Sequence, residues 1–165
     1  MIEILKPPHR RHTVLCMGIA VAALFLAQLP NDVRSDWFRS LERPAELPRS
    51  IERLIGLIWT TLFLLAGLAA ALTLASDRSP LVKRVLLGGT LTSLALNLAY
   101  TFTFTYRHDL HTAVWISGAL SLGMGGLSLW AFLNRLGWVA ACHLPHALWT
   151  AFATHVTWRM ANLNG

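Results

Sequence analysis

Charge is what this chain has least of. Only 13% of its 165 residues are Asp, Glu, Lys or Arg, while 55% are hydrophobic; a soluble domain carries about a quarter charged residues. The shortage is also local, because no charge falls in His12–Asn31, Leu54–Ser76, Val85–Tyr106, Leu110–Asn134 or Leu136–Trp158. Each window reaches the roughly 20 residues that a helix needs to cross hydrocarbon. The windows have almost none of the polar face that a soluble amphipathic helix keeps, which excludes an ordinary soluble bundle.

Other absences narrow the chemistry. The two cysteines, Cys16 and Cys142, lie inside apolar windows, where they act as small apolar groups and build no disulfide framework. No Asp or Glu lies within a window, and neither a nucleophile motif nor a glycine-rich phosphate loop is present, so no catalytic residue is assigned. "SLGMGGLSLW" has glycines without a strand–turn–helix context; Ala119-x3-Gly123 and Gly118-x7-Gly126 read as small residues for close helix contact, including contact between copies. His108-x2-His111 and His143-x2-His146 lack an acidic or thiolate partner at zinc-site spacing, and no metal is assigned.

What is present is a set of flanking cations and a polar load inside the spans. The net charge of +6 sits at span ends, which suits anchoring against lipid head groups and not a nucleic-acid face. No small-x-small cleavage site follows the first window, so it reads as a retained helix. The expected fold is all-α, an integral membrane bundle of five transmembrane helices in one domain spanning residues 1–165. The helices are placed at about Thr13–Leu29, Leu54–Ala75, Val85–Tyr106, Thr112–Leu133 and Trp138–Met160. Between the first two lies a long, lid-like loop, Pro30–Arg53, with Ser50 as the expected cap of the second helix. Lys and Arg divide seven against seven between the two sides, which leaves orientation undecided.

Helical periodicity sorts the polar residues into faces. On the last span, about 100° per residue puts Cys142, His146, Trp149, Ala153, Val156 and Thr157 together, with His143 and Thr150 at the edge. Leu144, Ala147, Leu148, Ala151, His155 and Trp158 fall opposite, toward lipid or a neighbouring subunit. The third span repeats the pattern with Thr90, Ser93, Asn97, Tyr100, Thr101 and Phe104, and the second aligns Trp59, Phe63, Ala66 and Ala70. Such stripes serve helix packing in membranes; three of them converging also make an aromatic pocket with a few polar anchors.

Four segments, in order, resemble the translocator protein family, also called tryptophan-rich sensory protein TspO or the peripheral benzodiazepine receptor. They are "WFRSLERPAELP", "IWTTLFLLAGLAA", "LALNLAYTFTF" and "LPHALWTAFATHVTW". The resemblance implies a five-helix bundle, often dimeric, whose pocket under the first loop binds porphyrins and, in some members, sterols or isoquinoline-carboxamide and benzodiazepine drugs. It assigns Trp37 and Pro44 to the lid, Trp59 to the second-helix wall, Asn97 to the third helix and Trp149 and Ala153 to the last, with Pro145 and Phe152 shaping the helix. Departures from the family pattern include Glu46 and Tyr100 in place of tryptophans, Arg49 for proline, Ser93 for glutamine, His146 for tyrosine and Thr157 for asparagine.

The expected ligand-binding set is therefore Trp37, Pro44, Trp59, Asn97, Tyr100, His146, Trp149, Ala153 and Thr157. The expected function is a membrane receptor or carrier for a planar hydrophobic ligand, a porphyrin or haem first and a sterol-like molecule second, with no resident cofactor. His146 would lie where it can approach a haem iron. Photo-oxidative tetrapyrrole degradation, or a structural or assembly subunit without a small ligand, are the alternatives. Expected partners are membrane lipids and a second copy in a homodimer, with no nucleic acid.

Overall fold

The computed structural model describes residues 9–28 and 35–165, and in them every regular element is an α-helix. Six helices follow in order: α1 Arg10–Gln28, α2 Asp36–Ser40, α3 Arg49–Ala75, α4 Pro80–Thr105, α5 Leu110–Leu133 and α6 Gly137–Asn164. Each of the five long ones overlaps one of the five uncharged windows. Residues 30–34 of the expected loop lie outside the described residues.

The long helices run past the windows at several ends. α3 begins at Arg49 and α4 at Pro80, five residues before each expected start, and α6 continues to Asn164. Hydrocarbon excludes charge, but a helix does not end where hydrocarbon does; its first turns carry Glu52, Arg53, Lys83 and Arg84 into the head-group layer. Ser50 is not the cap of α3, because Pro48 holds the N-cap position and Ser50 lies in the first turn. Ser79 caps α4 with Pro80 following, an arrangement in which proline's missing N–H costs nothing. Asp109 caps α5 through Thr112 N–H at 2.9 Å, and that hydrogen bond holds its carboxyl below the usual aspartate range.

α1, α3, α4 and α5 are long and apolar enough to cross a membrane on composition alone. α6 carries more polar groups, and these are turned inward: His143, His146, Thr150 and Thr157 are all buried. The long helices form a closed ring in which α1 packs on α3, α3 on α6, α6 on α5, α5 on α4 and α4 on α1. α5 and α6 share the most extensive interface, which is stitched by Ser121 Oγ to the Ala147 carbonyl at 3.1 Å and Ser128 Oγ to the Ala140 carbonyl at 2.9 Å. Ala147, expected on the lipid side, is thus buried in the core against α5. The other five residues of that face, Leu144, Leu148, Ala151, His155 and Trp158, are exposed.

Close approach of α1 to α3 depends on Gly67. A Cβ there would meet Ala20 Cβ and Met17 Sδ at 3.0 Å and the Cys16 carbonyl oxygen at 3.1 Å, whereas one at Gly56 would meet nothing. Gly67→Leu is expected to lower stability by about 1–3 kcal/mol through overpacking. Gly56→Leu should leave it unchanged, with thermal unfolding in one detergent as the comparison. On α5, a Cβ added at Gly118 would lie 3.7 Å from Thr154 Cγ2 of α6, and one at Gly123, Gly125 or Gly126 would meet nothing within 4 Å, so among the described residues these three glycines serve no close helix contact.

Candidate functional site

Most hydroxyls in the spans are already satisfied. Thr60, Thr61, Thr73, Thr90, Thr101, Thr150 and Thr154 each donate to the carbonyl four residues back on their own helix, a local solution that needs no partner helix. The polar groups that remain are concentrated where α3, α4 and α6 face one another across the ring.

There the helices line a half-open cavity of about 110 Å³ beneath the segment that joins α2 to α3. Trp59 and Ile55 of α3 form one wall, and Tyr100, Thr101, Phe104 and Thr105 of α4 form the second. α6 supplies the third with Trp149, Phe152, Ala153, Val156, Thr157 and Met160, and Phe38 and Leu47 close the top. No lining side chain is charged. Across the cavity, Tyr100 Oη and Thr157 Oγ1 are 3.0 Å apart, Trp59 meets Trp149 edge-on at 6.5 Å, and Trp149 lies against Phe152 at 5.4 Å.

The nine expected residues divide accordingly. Trp59, Tyr100, Trp149, Ala153 and Thr157 line the cavity. Asn97 and His146 lie behind it and are paired: Asn97 Nδ2 donates to the Ser93 carbonyl at 2.9 Å and stands 3.2 Å from His146 Nε2. His146 is fully buried, with its ring edge-on to Trp59 at 5.9 Å, and it does not line the cavity as a haem-iron ligand would. Trp37 stacks on His108 at 4.0 Å and meets Phe104 at 5.7 Å; it pins the lid to the α4–α5 corner, while its neighbour Phe38 faces the cavity. Pro44 is buried in a turn, its carbonyl accepting from Leu47 N–H at 3.1 Å.

The α4 stripe splits in the same way. Its first half, Thr90, Ser93 and Asn97, is buried packing, and its second half, Tyr100, Thr101 and Phe104, is cavity wall. Of the α3 stripe only Trp59 reaches the cavity, because Phe63 and Ala66 pack against Ala23 of α1 and Leu94 of α4. Cys142, on the same α6 face as Trp149, belongs to the core further along the helix.

Sequence reasoning did not single out Phe38, Leu47, Ile55, Thr105 or Met160. Phe38 sits on a five-residue helix, too short for periodicity to assign its faces. The lid is also tied to the end of α6, which no local pattern announces. Asn164 Oδ1 accepts from Glu42 N–H at 2.8 Å, and Asn164 Nδ2 donates to the Glu42 carbonyl at 3.0 Å. Glu46 Oε1 is 3.6 Å from Arg159 Nε and 4.0 Å from His155 Nε2, which gives a partner to the one histidine on the lipid-facing side. Arg43 of the lid pairs with Glu52 at 3.2 Å and lies 5.0 Å from the centre of the Phe38 ring.

The sequence match is as continuous as the ring. A profile of the TspO/MBR family matches residues 13–163, which takes in all five long helices and the lid. The chain belongs to the TspO/MBR family. Among curated relatives of this TspO/MBR protein, the tryptophan-rich protein TspO of Bacillus cereus is 23% identical over 159 residues, covering 94% of this chain and 98% of that one. A Bacillus subtilis protein named as an uncharacterized membrane protein, YtaB, is 28% identical over 155 residues, covering 91% and 95%. This TspO/MBR chain is accordingly a multi-pass membrane protein, and the five-helix reading of the ring is that of its family.

Proposed function

We propose that this TspO/MBR protein is a membrane receptor or carrier for a planar hydrophobic ligand, with a porphyrin or haem as the first candidate. The observation that carries the reading is the charge-free cavity with Trp59, Tyr100, Trp149 and Phe152 around it. Flat aromatic walls with a few hydroxyls suit a flat apolar guest. The carboxylates of a porphyrin would have to stay outside such a lining, because a buried carboxylate without a cationic partner is strongly unfavourable.

The size of the cavity adds a condition. A dry cavity of about 150 Å³ holds a benzene, so about 110 Å³ admits a group of that order and not a whole tetrapyrrole. A porphyrin would need a wall of the cavity to yield, and the lid, held to α6 by the Asn164 and Glu46 contacts, is the wall expected to do so. Breaking the latch with Asn164→Ala, which removes both hydrogen bonds to Glu42, together with Glu46→Ala, is therefore expected to speed association several-fold. Stopped-flow quenching of tryptophan fluorescence measures this; an unchanged association rate would show that the lid does not limit access.

The test of the reading itself is titration of the purified protein with haem and protoporphyrin, followed by absorption and tryptophan quenching. Saturable binding that displaces between the two ligands is expected. A linear signal that matches empty detergent micelles would remove the proposed function.

A further inference from the structure

The two ends of the bundle hold equal numbers of cations but very different numbers of acids. α1 runs antiparallel to α3, with Ala23 beside Phe63 and Cys16 beside Gly67, and short turns join the later helices. The start of α1, the α3–α4 turn and the α5–α6 turn therefore share one end, and the lid lies at the other. Among the described residues, the first end has Arg10, Arg11, Arg78, Lys83, Arg84 and Arg135 against Asp77 alone. At the lid end, six arginines meet Asp36, Glu42, Glu46, Glu52 and Asp109, and two of these acids form ion pairs with Arg43 and Arg159.

The backbone sharpens the difference. α1, α4 and α6 start at the first end with no acid in their first turns, whereas α2 and α3 start at the lid end with Asp36 and Glu52, and Asp109 caps α5. The partial positive charge of a helix start is offset at the lid end and adds to the side-chain cations at the other.

Those cations are also gathered beside apolar surface. Val82 and Leu86 of α4 pack in one core cluster with Ala131, Leu136 and Val139, which brings Lys83 and Arg84 to the corner where Arg135 turns the chain. Lys83 Nζ donates to the Leu74 carbonyl at 3.1 Å, while Arg84 and Arg135 are exposed. Arg135 has a φ of 58°, so the turn presents a cation in the left-handed region that favours glycine. Within three residues of Arg84 or Arg135 lie Leu81, Leu133 and Trp138, which are 65%, 66% and 57% exposed.

We infer that this end binds anionic phospholipid, with the phosphate at the Arg84–Arg135 corner and the acyl chains against the apolar side chains beside it. A soluble acidic partner would cover the cations and leave that apolar rim bare. The surface is separate from the cavity, whose lining reaches the lid at the opposite end.

Spin-labelled phosphatidylglycerol and phosphatidylcholine test it, compared by the motionally restricted lipid signal around the whole protein in phosphatidylcholine nanodiscs. At low salt the wild type is expected to prefer the anionic lipid roughly fivefold, the order of one basic side chain near an anionic surface. About 0.5 M NaCl should remove most of that preference by screening. Arg11→Gln/Arg84→Gln/Arg135→Gln should bring it below about twofold. Arg39→Gln/Arg53→Gln/Arg107→Gln, which removes the same charge from exposed positions at the lid end, should leave it as in the wild type. No preference in the wild type, a preference that survives high salt, or equal loss in the two variants would overturn the assignment. Capture of polyglutamate by the wild type, with no preference among the lipids, would give this end to a soluble acidic partner instead.

Discussion

Trp149→Ala is expected to weaken porphyrin binding by roughly 10- to 100-fold, whereas Trp149→Phe should stay within a few-fold of the wild type. The indole forms part of the α6 wall and contacts Trp59 and Phe152 at 6.5 and 5.4 Å between ring centres. Truncation removes apolar area worth about 1.5–3 kcal/mol when covered by a ligand, together with the stacking contribution of an aromatic face. Each 1.4 kcal/mol is tenfold in affinity. Phenylalanine keeps a flat ring in the same place, so the contrast between the two variants separates loss of the wall from loss of the indole N–H. Titration of both variants with protoporphyrin, by absorption instead of tryptophan emission, gives the comparison. Wild-type affinity in the alanine variant would show that the ligand sits elsewhere.

Filling the cavity should have the opposite signature for stability. Ala153 projects from the α6 wall one turn after Trp149, and Ala153→Phe places a ring in a space of about 110 Å³. Saturable porphyrin binding is expected to disappear, while thermal stability is unchanged or higher, because an apolar void that loses its emptiness gains contacts. Ala151→Phe, two residues away on the exposed side, is the control and should bind as the wild type does. Loss of binding together with a lower melting temperature in Ala153→Phe would indicate a damaged bundle and not an occupied site.

The fold was legible because charge is so rare that its absence draws the membrane slab directly. Helix ends were less so: Arg53, Lys83 and Arg84 mark where hydrocarbon stops, not where the i to i−4 ladder stops. The wall residues Trp59, Tyr100, Trp149, Ala153 and Thr157 were readable from helical period and family resemblance together. Periodicity gives the direction of a side chain but not its depth. Asn97 shares a stripe with Tyr100 and His146 shares one with Trp149, yet both stand behind Trp59. The lid was least legible. Trp37 and Phe38 are adjacent on one short turn, and only the tertiary stack of Trp37 on His108 decides which of them faces the cavity. His155 looked misplaced on a lipid-facing side until Glu46, more than a hundred residues earlier in the chain, supplied its partner.

The threonines of α3 carry a consequence for how this bundle can move. Thr60, Thr61 and Thr73 are each bonded to their own helix, so their hydroxyls travel with α3 and need no replacement partner when it shifts. Lipid tails are as apolar as the leucines they would touch, and a helix that carries its own hydrogen bonds can part from its neighbours without exposing a raw polar group. α5 and α6, riveted by serine-to-carbonyl bonds, have no such freedom. Among the described residues, side-chain hydrogen bonds thus cross the α5–α6 seam, and none crosses the seam between α6 and the helix that bears Trp59.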